Sequence, residues 1–220
     1  MNGANDSTHP QSSAREKLLN AALTILRQKG YSATSVDDLC RAAGVTKGAF
    51  FHHFASKEAL GAAAADHWSR VTGGLFETAP YHQHQDALTR LLAYIDFRRI
   101  LIAGEVCAFT CVAGTMVQET YDQHPAIRAA CRASIFGHAQ SLEADIEAAM
   151  HEHGVSGISA RSLALHTQAV LQGAFILAKA DGGPEIAIES VDHLRRYVEL
   201  LFTAGASEKF SAATGQVPDP

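Results

Sequence analysis

Two side chains that can donate hydrogen bonds and two that are very small stand together in the segment Thr46-Lys47-Gly48-Ala49. Hydroxyl and ammonium groups donate to base edges and phosphate oxygens, and small residues let a helix enter the major groove of DNA. His52, His53 and Lys57 follow closely and add groups that suit the phosphate backbone. The spacing therefore predicts recognition of a nucleic acid rather than the making or breaking of a bond.

The elements that position this segment are short helices separated by glycine. Apolar residues recur at helical spacing over residues 13–29, and Gly30 ends that helix. Thr34 or Ser35 begins a second helix, which ends at the tight turn Ala43-Gly44-Val45. Thr46 caps a third helix that extends to about residue 53. Two short helices joined by such a turn predict a helix-turn-helix.

The remaining chain predicts further helices and an all-α fold class. A fourth helix begins after Ser56 and is expected to end near Val71, before Gly73-Gly74. Longer helices fill residues 86–204, and alternating β-branched runs are absent from the sequence. We expect a DNA-binding domain at residues 14–60 and an effector-sensing and dimerisation domain at residues 61–204. The polar segments 1–13 and 205–220 are expected to be disordered tails.

Other kinds of chemistry find little support in the sequence. The cysteines Cys40, Cys107, Cys111 and Cys131 form no CxxC pair, and the twelve histidines fit no recognised ligand pattern. A P-loop, a GxGxxG after a strand, a GxSxG elbow and an HExxH motif are all lacking. We therefore expect a protein that is not an enzyme and that needs neither a metal nor another cofactor.

The charge distribution separates the two expected domains. The 220 residues carry a net charge of −5, which on its own argues against a nucleic-acid partner. Residues 14–60, however, hold seven basic and four acidic side chains, whereas residues 61–220 hold eleven basic and eighteen acidic ones. No apolar run has the length of a membrane helix, and the polar start MNGANDSTHPQSS lacks the features of a secretory signal. The expected location is the cytoplasm, without a membrane partner.

The helix-turn-helix region also carries a family resemblance. Residues 44–58 read Gly-Val-Thr-Lys-Gly-x-x-x-x-His-Phe-x-Ser-Lys-Glu, and the run from Leu19 to Leu60 resembles the N-terminal domain of the tetracycline-repressor (TetR) family. The resemblance implies a helical homodimer that binds double-stranded DNA at a palindromic operator. It also implies a C-terminal domain that senses a small-molecule effector. The broad apolar faces of the last two helices, near residues 159–181 and 185–204, favour a subunit interface there.

The resemblance implies which residues contact DNA: Thr34, Ser35, Arg41, Thr46, Lys47, Gly48, Ala49, Phe51, His52, His53 and Lys57. The family usually has tyrosine where Phe51 stands, so a phosphate contact through that hydroxyl is lost here. Three points stay open. Thr34 or Ser35 could serve only as a helix cap, and Lys57 could be only a solvated charge. One of His52 and His53 is expected to pack inward, but the sequence does not show which.

The effector is expected among side chains of the second domain: Cys107, Cys111, Phe97, Phe109, Met116, Phe136 and Phe175. One hypothesis is a small apolar or aromatic ligand, although such residues also form ordinary cores. A second follows from the resemblance, because some members sense electrophiles or oxidants through a cysteine near the position of Cys111. The competing interpretation is that the cysteines are small buried hydrophobes. A helical interaction protein without DNA specificity is the alternative from another class.

Overall fold

The computed structural model describes the backbone of residues 12–214 and the side chains of residues 12–203. Within that part, the chain forms eleven α-helices and one 3-10 turn, without a strand, which confirms the all-α class. The N-terminal helices are α1 (Ala14–Lys29), α2 (Val36–Ala43), α3 (Lys47–His53) and α4 (Lys57–Glu77). The 3-10 turn Pro80–Gln83 leads to α5 (Ala87–Ile100), α6 (Val106–Phe109), α7 (Val112–Thr120) and α8 (Pro125–Gln140). The last three helices are α9 (Glu143–His153), α10 (Ala160–Asp181) and α11 (Glu185–Thr214).

Local capping explains where the first three helices begin. Ser13 and Glu16 form a capping box at α1, and Ser35 and Asp38 form another at α2. Thr46 accepts a hydrogen bond from the Ala49 N–H at the start of α3. Each cap satisfies backbone donors that the helix itself leaves free. The helix-turn-helix therefore lies where the sequence predicts it.

Gly44 provides the turn between α2 and α3. Its φ of +64° lies in the left-handed region, and its N–H donates to the carbonyl of Arg41. A side chain is strained in this conformation, so glycine is the residue that the turn requires. The turn ends α2 at Ala43 and lets α3 begin at Lys47.

The N-terminal helices share a core with α7 and α8. Phe50 and Phe54 are buried among the leucines of α1, as expected for the centre of a small bundle. The same cluster also contains Met116 from α7 and Ile127 from α8. The domain boundary predicted at residue 60 therefore falls inside α4, and the side-chain packing continues across it. A second core joins α5, α9, α10 and α11.

Two helices are longer than the sequence indicates. Helix α4 passes through Gly73 and Gly74 and ends at Glu77, because the buried ring of Phe76 and packing against α8 outweigh the roughly 1 kcal/mol that each glycine costs. Helix α11 continues beyond residue 204 to Thr214, through a segment that contains three alanines and no proline. The tails are predicted at residues 1–13 and 205–220, and of these residues 1–11 and 215–220 lie outside the part of the chain that the structure describes. None of the helices described is long and apolar enough to cross a membrane.

Candidate nucleic-acid interface and effector cavity

Helix α3 presents an exposed surface made of the residues that the sequence singles out. Lys47 and Gly48 are exposed, Ala49 is half-buried, and the ring of Phe51 is 56% exposed. The neighbouring Phe50 is fully buried and anchors the helix from the other side. A small-residue helix start of this kind fits a DNA groove sterically.

The cations around this surface are already paired with two carboxylates of α2. The Nζ of Lys47 lies 2.8 Å from Asp37, and Asp38 holds Lys29 at 2.9 Å and Arg41 at 3.3 Å. The hydrogen bond to Asp37 raises the pKa of Lys47, and the bonds from Lys29 and Ser35 hold the pKa of Asp38 well below its usual range. These groups stay charged at neutral pH, so a phosphate must compete with a carboxylate for each cation.

The two adjacent histidines differ in exposure, which answers the question that the sequence leaves open. His52 is exposed and His53 is half-buried, with ring centroids 4.9 Å apart in an edge-on arrangement. His53 is therefore the one that packs inward. Ser35 is exposed, but its hydroxyl is bonded to Asp38 as part of the α2 cap.

Two of the residues expected to contact DNA have partners within the protein. Thr34 is buried, and its hydroxyl donates to the carbonyl of Gly30 at 2.6 Å, so it does not face a phosphate. Lys57 donates to the carbonyls of Tyr31 and Thr34 at 3.1 and 3.0 Å, with its Nζ 4.2 Å from the centre of the Tyr31 ring. In this conformation both residues fasten the loop between α1 and α2.

A cavity of about 160 Å³ lies among the helices that follow the helix-turn-helix. Its walls come from α4, α5, α8 and α10 and from the segment that joins α5 to α7. Most of the lining is apolar, with a few polar groups, as is typical of small-molecule sites. The lining residues are Trp68, Thr72, Leu75, Phe76, Arg98, Leu101, Ile102, Ala108, Phe109, Cys111, Ser134, Ile135, His138, Gln168, Gln172 and Phe175.

The cavity contains some of the effector residues expected from the sequence. Phe109, Cys111 and Phe175 line it. The other four lie elsewhere: Phe97 packs in the C-terminal core, Met116 is buried in the N-terminal core, Phe136 lies on the surface beside Arg132, and Cys107 borders an open cleft beside Arg27.

Polar groups that sequence reasoning missed face the same cavity. Gln168 donates to the Tyr94 hydroxyl at 3.4 Å, and that hydroxyl lies 2.8 Å from the Nε2 of His138. Burial, together with the charge of Arg98, lowers the pKa of His138 to about 3, so its ring is neutral at physiological pH. Helical spacing alone does not distinguish these groups from ordinary surface side chains.

Cys111 stands at the N-terminus of α7, beside the cavity. Its Sγ accepts a hydrogen bond from the Gly114 N–H at 3.3 Å, and the residue is half-buried. The cationic groups of Arg27 and Lys179 are near enough to interact electrostatically with this sulfur. The site thus places a helix N-terminus and two positive charges around one thiol.

Two sets of contacts connect the cavity wall to the N-terminal helices. Arg27 of α1 donates to the carbonyl of Ala108 at 2.8 Å. The carboxylate of Glu119, on α7, accepts from the backbone N–H groups of Tyr31 and Ser32 at 3.1 and 2.8 Å. A displacement of α6 or α7 would therefore be transmitted directly to α1 and to the loop that follows it.

Three side chains elsewhere could present ligand atoms to a cation. Those of Asp86, Glu152 and His153 lie within 4.8 Å of one another. Asp86 already accepts two hydrogen bonds of 2.6 Å from Thr89 as the cap of α5. The cluster is largely exposed, and exposed carboxylates often meet without a metal, so the expectation of no metal stays a prediction.

Comparison with known proteins places both halves of the chain among regulators. Residues 18–64 match the family model of bacterial regulatory proteins of the tetR family. Residues 87–186 match the model of the LmrA/YxaF-like transcriptional regulator C-terminal domain. The transcriptional regulator AcuR of Cereibacter sphaeroides is 31% identical over 106 residues, or 48% of each chain. The aligned region therefore spans about half of that relative.

Two solved structures share the fold over most of their length. A TetR-family regulator from Agrobacterium tumefaciens superposes with a TM-score of 0.73 at 23% identity, covering 86% of this chain and 97% of that one. The reduced form of NemR from Escherichia coli gives a TM-score of 0.68 at 24% identity, covering 84% and 96%. At this level of identity the likeness concerns the fold.

Proposed function

Because this chain belongs to the TetR family of bacterial regulatory proteins, we propose that it is a transcription regulator that binds double-stranded DNA, and most specifically a repressor. The exposed start of α3, behind the Gly44 turn, carries the proposal. Thr46, Lys47 and Gly48 form the surface that enters the major groove, while the positive ends of nearby helices favour phosphates. DNA binding implies action in the cytoplasm.

The proposed unit is a homodimer formed through α10 and α11. Four large apolar side chains on these helices are substantially exposed in the single chain: Ile176 (48%), Leu177 (47%), Tyr197 (43%) and Leu200 (70%). Large apolar side chains that are exposed together on two packed helices are typical of a surface that a partner covers. A two-fold dimer presents two copies of α3, which fit a palindrome with half-sites about 34 Å apart.

Release from the operator follows from the contacts between the cavity and the N-terminal helices. An effector that contacts Phe109 or Cys111 shifts α6 and the start of α7. The Arg27–Ala108 and Glu119–loop hydrogen bonds then transmit that shift to the two DNA-binding surfaces. The effector thereby favours a state of the dimer in which the spacing no longer fits the operator.

A selection experiment tests the proposal and identifies the operator sequence at the same time. Full-length protein selects duplexes from a random library, and the enriched sequence is titrated at several salt concentrations. We expect a palindrome and a Kd that rises steeply with salt. Lys47→Ala should weaken binding about tenfold and make the salt dependence shallower, whereas Arg161→Ala, an exposed control at the start of α10, should bind normally. Failure to enrich any sequence, or unchanged binding by Lys47→Ala, would refute the assignment.

The surroundings of Cys111 support a second candidate, a repressor that senses electrophiles. A thiolate at this helix N-terminus would add to a quinone, forming a carbon–sulfur bond and leaving a hydroquinone once the ring takes up a proton. Treatment with benzoquinone should then release operator DNA from the native chain and from Cys40→Ser but not from Cys111→Ser. Equal release from all three would exclude this mode of sensing.

A further inference from the structure

Arg98 points its charge into the apolar cavity. Its guanidinium carbon lies 5.2 Å from the centre of the Phe76 ring and 5.8 Å from that of Phe175. Both rings line the cavity, and so does Arg98 itself. Stacking between two aromatic faces offsets part of the cost of removing this charge from water, and it fixes the position of the guanidinium.

Arg98 differs from the neighbouring arginines in having no acidic partner. Arg90 pairs with Asp145 at 2.7 Å, and Arg99 with Asp192 at the same distance. Among the residues whose side chains the structure describes, Arg98 forms no ion pair. A half-buried cation without a counter-charge is unfavourable, and an anion bound beside it would relieve that cost.

His138 is among the residues that line the cavity, and its ring offers a second donor. The amide nitrogen of Gln168 can only donate to the Tyr94 hydroxyl, so the Nε2 of His138 is the one described acceptor near the proton of this buried hydroxyl. A neutral imidazole that accepts at Nε2 carries its proton on Nδ1. That Nδ1 has no partner in the described part of the chain, and it is not among the polar atoms buried without one. It therefore stays available to a ligand.

The size of the cavity limits what can accompany the anionic group. Its volume of about 160 Å³ is close to that of an engineered protein cavity of about 150 Å³ that accepts benzene. The apolar part of the cavity wall includes Leu75, Ile102 and Phe109. The space suits one ring or a short alkyl chain, and a hydrated dianion such as free phosphate would leave that wall uncovered.

We propose that the cavity binds small monocarboxylic acids as their anions. The carboxylate accepts from the Arg98 guanidinium and from the Nδ1–H of His138, and the apolar body packs against Phe109 and Phe175. This assignment rests on the proposed function, because it names the chemical class of the effector at that same site. It adds a charge requirement that an apolar pocket alone does not impose.

The test compares each acid with its neutral analogue on the full chain without DNA. Isothermal titration calorimetry is performed with benzoate against benzamide and with hexanoate against hexanamide. At least one carboxylate should bind ten times more tightly than its amide. Arg98→Gln should abolish that preference, whereas Arg99→Gln, an arginine loss at the adjacent exposed position, should keep it.

Several outcomes would overturn the inference. If neither carboxylate binds more tightly than its amide to the native chain, the charge requirement is wrong. The same holds if Arg98→Gln keeps the full preference. Should Arg98→Gln not fold, Arg98→Lys retains a positive charge and is expected to keep part of the preference. A complete loss of the preference in Arg98→Lys would contradict the claim that the charge at this position selects the anion.

The design keeps this inference separate from the proposed function. Carboxylate binding is measured without DNA, and the same ligand is then added to the operator complex. A carboxylate that binds with the predicted preference but leaves the DNA complex intact would contradict effector release and support the cavity assignment. An operator complex that other compounds dissociate, while carboxylates do not bind, would contradict the cavity assignment alone.

Discussion

At the residue scale, the cations of the proposed DNA-binding surface are paired with nearby acidic side chains. Asp37 and Asp38 occupy the first turn of α2, where the helix dipole favours negative charge, and from there they pair with Lys29, Arg41 and Lys47. The pairs are exposed, so each one contributes little to the stability of the fold. Their main effect falls on the affinity of the surface for phosphate.

Replacing Asp37 with asparagine should therefore strengthen DNA binding. The change frees Lys47 and raises the net charge of each DNA-binding surface by one. We expect the operator Kd to fall by about two- to fivefold for each subunit, as the loss of one exposed ion pair would give. Fluorescence anisotropy against salt concentration measures this, with a steeper salt dependence for the variant. Asp122→Asn serves as the control, and weaker binding by Asp37→Asn would contradict the argument.

His138 should make the protein sensitive to acid. Its pKa is about 3 when folded and near 6.5 when unfolded, so below pH 6.5 the unfolded state binds the proton that the folded state excludes. Stability should therefore fall between pH 6.5 and 3, by up to about 1.4 kcal/mol per pH unit from this group. Urea unfolding at several pH values should give a shallower pH dependence for His138→Gln than for the native chain or for the loop variant His84→Gln. An unchanged slope would show that burial does not control this histidine.

Residue types alone predict where the proposed DNA-binding surface lies, but they do not predict the partner of each side chain in it. The cap formed by Thr46 and the exposure of Lys47 depend on neighbouring residues in the chain, so both follow from the sequence. Lys57 bonds to carbonyls of the α1–α2 loop, which a tertiary contact decides. Arg98 and Arg99 are adjacent on α5, and only the packing of that helix shows that Arg98 is the one that lines the cavity.

At the element scale, helix starts are predictable and some helix ends are not. The caps at Ser13, Ser35 and Thr46 are local signals that the structure keeps. Gly73-Gly74 is also a local signal, for an end to α4, but packing of the following turn overrides it. Helix α7 contacts the α1–α2 loop through the carboxylate of Glu119, and no sequence motif predicts that contact.

The Glu119 contact should determine how firmly that loop is held. Its carboxylate accepts two backbone N–H groups, and Gly30 leaves room for it because a Cβ there would overlap the carboxylate. Glu119→Ala should increase hydrogen exchange at Tyr31 and Ser32 and lower the free energy of unfolding by about 1.5–3 kcal/mol. Glu147→Ala, an exposed control on α9, should change neither. Unaltered exchange in residues 30–35 would mean that the loop is held by other contacts.

At the scale of the whole molecule, two regions of the chain carry net charges of opposite sign. The net charge of −5 is the sum of a basic helix-turn-helix region and an acidic remainder. A dimer would carry the basic region twice on one side, with the acidic part kept away from the DNA by repulsion. The exposed apolar stripe of α10 and α11 is the surface on which that dimer depends.

Leu200 should be decisive for assembly, since it is 70% exposed in the single chain. Leu200→Glu would place a charge in the proposed interface, and we expect a monomer in sedimentation velocity, with operator affinity reduced at least tenfold because one subunit binds only one half-site. Val71→Glu, at another exposed apolar position, is expected to remain dimeric. A dimeric Leu200→Glu would place the interface on other helices.

The length of α4 has a mechanical consequence. One rigid helix passes from the cavity, which Trp68, Thr72 and Phe76 line, to the N-terminal core at Leu60. The distance from Thr72 to Lys57 is about 22 Å, so a tilt of about 5° at the cavity would move the far end by about 2 Å. Under the proposed function, we therefore expect a small tilt of α4 at the cavity to change the spacing of the two proposed DNA-binding surfaces in a dimer.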